Sequence, residues 1–158
     1  MFNIGDRVVY PMHGAGVIEG IEEKDLGGNT EEYYVIKLTM GEMKVMIPVS
    51  NVDLVGIREI ISEDEVDKVL EVLKGENTKM SSNWNRRYRA NMEKIKSGSI
   101  FEVAEVVRNL SLRDREKGLS TGERKMLENA RQILLSELVL AQNMAEDQVE
   151  ALLEECFN

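Results

Sequence analysis

The chain of 158 residues sets 29 Asp/Glu against 20 Lys/Arg and one histidine, a formal charge of −9, with 42% hydrophobic and 31% charged residues. That balance describes a globular chain able to bury a core and excludes wrapping nucleic acid over a broad basic surface; a local contact stays open, because the field depends on where the charges sit. The single Cys156 rules out an internal disulfide, no apolar run of about 18 residues offers a membrane span, and Met1-Phe2-Asn3-Ile4-Gly5-Asp6 lacks the build of a signal peptide, so a cytoplasmic protein is expected.

Residues 1–56 read as β structure. Arg7-Val8-Val9-Tyr10 is a short apolar run closed by Pro11 and the Gly14/Gly16 pair. Gly16 to Glu22 alternates imperfectly, and Asp25-Leu26-Gly27-Gly28-Asn29-Thr30 reads as a loop. Tyr33 to Leu38 is β-branched and aromatic. Met40-Gly41 turns the chain, and Met43, Val45 and Ile47 alternate with Lys44 and Met46 before Pro48 stops the strand. Short strands with glycine punctuation predict a small, strongly bent barrel of SH3/Tudor type. Such a sheet leaves an edge that must be covered or used.

From Ser62 the hydrophobic period becomes helical: Val66, Val69, Leu70 and Leu73 fall at i, i+3, i+4 and i+7. Ser62/Glu65, Ser99/Glu102 and Ser120/Glu123 have the spacing of capping boxes and mark three helix starts. Phe101, Ala104, Val107 and Leu110 form one stripe, Leu127, Ala130, Leu134, Leu138 and Ala141 another, and Val149, Leu152, Leu153 and Cys156 a short last one. The expected class is α+β: a β-barrel over 1–56, then a bundle of about five helices over 57–158.

The basic stretch Lys79 to Lys96 holds the only tryptophan and six Lys/Arg against one acidic residue, in a chain that is otherwise acidic. On a helical wheel Trp84, Tyr88, Met92 and Ile95 fall within one stripe of roughly 80°, flanked by Arg87 and Lys94 on one side and Arg89 and Lys96 on the other, with Arg86 opposite. Ser81, Ser82 or Asn83 can cap the helix start. Two readings follow. Either the stripe is core and the cations are a solvated face, or Trp84 projects and the arginines meet phosphate. The second would suit a distorted or opening duplex, since an apolar side chain inserted at a base step costs about a few kcal/mol in unstacking, and phosphate contacts alone specify no sequence.

Other signals point to no catalytic or metal site. His13 is the only histidine, lies in a glycine-rich turn, and has no Cys nearby with which to build a metal set. Gly14-Ala15-Gly16 is not followed by the G-K-[ST] of a phosphate loop. Nucleophilic triads lack a base. No cofactor is expected, and the chain reads as a non-enzymatic monomer.

Asn83-Trp84-Asn85-Arg86-Arg87-Tyr88-Arg89-Ala90-Asn91 followed by Lys94-Ile95-Lys96-Ser97-Gly98 resembles the signature of the bacterial CarD/CdnL transcription regulators. Gly5-Asp6-Arg7-Val8-Val9-Tyr10-Pro11 with His13-Gly14-Ala15-Gly16 resembles the opening of their RNA-polymerase-interacting domain, shared with transcription-repair coupling factors. Val103 to Leu110 and Leu119 to Leu127 are similar to the helical part. The resemblance implies a Tudor-like domain that binds the RNA polymerase β subunit, and a helical domain that contacts promoter DNA at the upstream edge of the transcription bubble. Trp84 would be the minor-groove wedge, Arg86, Arg87 and Arg89 would hold the backbone, and Arg124 and Lys125 would add phosphate contacts. The polymerase contact would be strand addition at a sheet edge, matched here by Met43, Lys44, Val45, Met46 and Ile47. Where the family pattern carries an arginine this chain has Met46, so packing by Met46 with charge from Lys24 or Lys44 would replace a salt bridge. A different class stays open beside it: a protein–protein adaptor with Trp84 as interface anchor.

Overall fold

Five antiparallel strands open the computed structural model, which describes residues 1–76 and 78–157: β1 (Arg7–Tyr10), β2 (Gly14–Leu26), β3 (Asn29–Leu38), β4 (Lys44–Pro48) and β5 (Arg58–Glu59). Their order in the sheet is β4-β3-β2-β1-β5. The β-branched and aromatic run from Tyr33 to Leu38 puts Tyr34 and Ile36 inward, where they meet Val8, Ile18 and Ile47 in a core closed by Val52 and Ile57. A bulge between Ile18 and Gly20 adds Glu19 to β2 and bends the strand. β4 and β5 do not pair with each other, so the bent sheet keeps two edges. A single-turn helix α1 (Val52–Val55) precedes β5.

Two boundaries differ from expectation. The loop expected over residues 25–30 is a tight hairpin: β2 and β3 stay paired out to Leu26↔Asn29, and only Gly27 and Gly28 turn, with φ of 63° and 91°. Positive φ at both central residues matches the right-handed twist of the strands. The breaker-rich composition hid strands whose outer ends are held by the ladder rather than by burial. Likewise β5 lies beyond residue 56 yet pairs with β1 through Val8↔Glu59 and Val9↔Arg58. Two residues are too few to show a period.

The helical half comprises α2 (Glu63–Lys74), α3 (Trp84–Lys96), α4 (Ile100–Glu116), α5 (Thr121–Gln142) and α6 (Glu146–Cys156). The stripes read from the sequence converge on a second core that includes Val69, Leu73, Val107, Leu110, Leu134 and Leu153, with Cys156 packed at its margin. Of the three expected capping boxes, only Ser62/Glu65 closes in both directions. Ser99 makes no side-chain cap; its N–H donates to Ser97 Oγ (3.2 Å). Ser120 Oγ accepts from Glu123 N–H (3.2 Å) and donates to Glu123 Oε1 (3.2 Å), but that carboxylate is held by Arg87 and does not reach back to the Ser120 N–H to close the box.

Buried polar contacts join sheet to bundle. Arg58 makes a two-pronged pair with Glu137 of α5 (2.8 and 2.7 Å), and Ile61 N–H donates to the same carboxylate (2.9 Å). Ala15 N–H donates to Ser136 Oγ (2.8 Å). Gly14, at φ +103°, lets the strand come this close: a Cβ there would stand 2.8 Å from that oxygen.

Candidate nucleic-acid interface and sheet edge

Asn83 caps α3, its side chain accepting from Arg86 N–H (3.0 Å), so Trp84 and Arg86 both stand in the first turn. Trp84 is 42% exposed. It stacks on Tyr88, one helical turn along, with ring centroids 5.0 Å apart at 20°, and its Nε1–H donates to Ser120 Oγ, the N-cap of α5 (2.9 Å). Gly122, near the start of α5, faces the ring: a methyl added there would meet Trp84 Cζ2 at 3.4 Å, an ordinary contact. The indole is thus neither core nor free. Two helix N-termini, each the positive end of a peptide dipole, meet at one half-exposed aromatic.

The helical wheel is corrected by about one position. The residues of α3 that are fully buried are Arg87, Asn91 and Ile95; Tyr88 and Met92 form the shoulder, and Trp84 lies out at the edge. Arg87, expected on DNA, is 4% exposed and grips Glu123, itself 2% exposed, through Nε (2.7 Å) and Nη2 (3.1 Å). Its Nη1 donates to the carbonyls of Ser81 (3.1 Å) and Ser82 (3.4 Å). Its charge is therefore used inside the protein, and Arg87 leaves the set of phosphate contacts. Hydrogen bonding to Arg87 holds the Glu123 carboxyl below its ordinary range against the opposing effect of burial, and raises the guanidinium further.

Arg86, Arg89, Arg124 and Lys125 are exposed. Arg124, in the α5 turn beside the indole, lies 3.8 Å from Asp114 Oδ1, with both side chains open to solvent; such a pair is worth about 0–1 kcal/mol. Lys94 pairs with Glu105 (2.8 Å). Ser120, Glu123 and Gly122 complete the indole's setting. Sequence reasoning marked Ser120 and Glu123 only as a cap, because nothing local ties residue 120 to residue 84.

The expected polymerase segment forms an edge strand, β4, but its side chains divide. Ile47 is 4% exposed in the sheet core and Val45 packs against that core, so neither offers its side chain to a partner. Met43, Lys44 and Met46 face out. Met46, Val35 and Gly20 are paired across three strands on the outer face, where Lys44 reaches Glu19 (3.0 Å). Lys24 projects from the same face further along β2, over the ring of Tyr33 (5.8 Å). Because Leu38 N–H bonds Met43 O (2.8 Å), antiparallel alternation turns the main-chain groups of Val45 and Ile47 to β3 and those of Lys44 and Met46 to the open edge. His13 is accounted for locally: it stacks on Tyr10 (4.1 Å) and its Nδ1 donates to Pro11 O (3.1 Å).

The chain thus sets an open-edged sheet beside a helical unit that carries an arginine-flanked indole. Comparison with known proteins identifies the class. The family description "CarD, C-terminal domain" matches residues 68–154, and "CarD-like/TRCF RID domain" matches residues 2–61. A curated relative, "Putative transcription factor YdeB" of Bacillus subtilis (strain 168), is 42% identical over 152 residues, covering 96% of this chain and 99% of that one. A solution NMR structure of the 72-residue N-terminal domain of Myxococcus xanthus CarD is 29% identical with a TM-score of 0.33, covering 37% of this chain and 79% of that one. The chain belongs to the CarD family of transcription factors.

Proposed function

We propose that this protein, acting as a cytoplasmic monomer, binds the RNA polymerase β subunit by strand addition at β4 and stabilises the promoter open complex through minor-groove contact at the upstream edge of the bubble. The unit over 2–61 supplies the polymerase contact, and that over 62–157 the DNA contact. Trp84 is the wedge. Arg86 and Arg89, with Arg124 and Lys125 from α5, hold the flanking phosphates. The single observation that carries the reading is the half-exposed indole where two helix N-termini meet among exposed cations.

The physical logic is kinetic. An apolar ring inserted at a base step has least unstacking to do where polymerase has begun to part the strands, and it must be expelled before the bubble can close. Four phosphate contacts on a chain of charge −9 give weak binding without a partner, so polymerase must deliver the module at high effective concentration. No step requires covalent chemistry; the protein acts by binding alone.

The test is Trp84→Ala in the full-length protein. Polymerase capture should be unchanged, while the lifetime of promoter open complexes falls towards that measured without the protein. A wild-type lifetime would sink the wedge reading.

A further inference from the structure

Resting on the reading of Trp84 as wedge, we propose that Ser120 is the positioning residue that aims it, itself locked by the buried Arg87–Glu123 pair. A hydroxyl offers one donor and two acceptor sites, and all three are engaged here. Ser120 Oγ accepts from Trp84 Nε1–H (2.9 Å) and from Glu123 N–H (3.2 Å), and donates to Glu123 Oε1 (3.2 Å). With its hydrogen committed to the carboxylate, the rotor has a lone pair left pointing at the indole. The carboxylate is fixed in turn by the two-pronged grip of Arg87, whose third nitrogen holds the chain entering α3 at Ser81 and Ser82. The first turns of α3 and α5 thus close on each other through one relay with the wedge at its outer end.

The indole's only hydrogen-bond donor is spent on the protein, and the edge carrying Nε1 and Cζ2 is turned to α5. What remains for DNA is ring carbon. The wedge can stack on any base but can read none by hydrogen bonding, so insertion is indifferent to base identity at the step.

The experiment is a double-mutant cycle between Trp84→Phe and Ser120→Ala in the full-length protein, read by open-complex lifetime, with steady-state anisotropy of the sole tryptophan in the free protein as a second readout. Loss of one net hydrogen bond should shorten the lifetime about two- to ten-fold in Ser120→Ala and lower the anisotropy, and Ser120→Thr should restore both. In the Trp84→Phe background, which has no N–H to aim, Ser120→Ala should have no further effect. A role confined to capping α5 would instead shorten the lifetime equally in both backgrounds, overturning the proposal, as would wild-type lifetime and anisotropy in Ser120→Ala. A normal lifetime in Trp84→Ala would remove the wedge and its positioning together. A shortened lifetime there with an inert Ser120→Ala would remove the positioning alone.

Discussion

One residue step along a helix turns a side chain by about 100°, and between Arg86 and Arg87 that rotation separates a solvent-facing cation from one that is 4% exposed. The two should therefore fail differently. Arg86→Ala should lower DNA affinity about evenly across sequences and reduce the slope of log affinity against log salt by about one, with the thermal melt unmoved. Arg87→Ala strips the partner from a carboxylate that is 2% exposed, and should destabilise the fold by about 3–5 kcal/mol in denaturant melts. A stable Arg87→Ala protein with a reduced salt slope would return Arg87 to the DNA surface. The same pair sets an acid limit. Because Glu123 is ionised more readily folded than unfolded, its contribution is complete above the ordinary carboxylate range and drains away as pH falls from there through its depressed folded value. Thermal melts should fall steeply on that acid side in the wild type, and less so in Glu123→Gln, which has no such proton to take up.

At the scale of elements, β4 presents the sharpest contrast, because alternate residues of one strand bond in opposite directions. Proline at 46 removes an N–H aimed at the open edge, where proline is tolerated in sheets; at 45 it removes a ladder bond to β3. Met46→Pro should weaken capture of an isolated polymerase β fragment by about five-fold or more, the worth of one net hydrogen bond, with little change in melting. Val45→Pro should lower the melting temperature first. Undiminished capture by Met46→Pro would place the partner surface elsewhere. These contrasts also mark how far the sequence could be read. Elements with a strong local period were legible: β3 from its β-branched and aromatic run, α5 from its long apolar stripe. The indole's exposure was one of two readings that the wheel left open. What stayed hidden depends on partners far along the chain. Glu123 has the spacing of a cap, yet a guanidinium 36 positions earlier takes its carboxylate, and the wheel cannot tell which cation will find a buried acid. The hairpin at Gly27-Gly28 escaped for the opposite reason, since its residues look like a loop and are ordered by cross-strand bonds alone.

For the molecule as a whole, two weak contacts become useful only when both are made at once, and the gain depends on how well the link fixes their separation. Here that link is a polar one, half-buried at Arg58 and fully buried at Glu137. Arg58, from the last strand of the sheet, holds Glu137 on α5, and Glu137 also takes the N–H of Ile61, where the chain leaves the sheet for α2. Glu137 is 2% exposed, and these donors satisfy both of its carboxylate oxygens. Glu137→Gln keeps the shape and one acceptor but discharges the pair. Each half should then work separately: capture of the β fragment and salt-dependent DNA binding should match the wild type. Open-complex lifetime, which needs both at a set distance, should fall several-fold, and amide exchange at residues 57–61 should quicken as the junction opens more often. A wild-type lifetime despite faster exchange would mean that polymerase and promoter orient the two halves themselves. With the lifetime shortened and the exchange quickened, the junction would be the device that converts two marginal contacts into one durable complex.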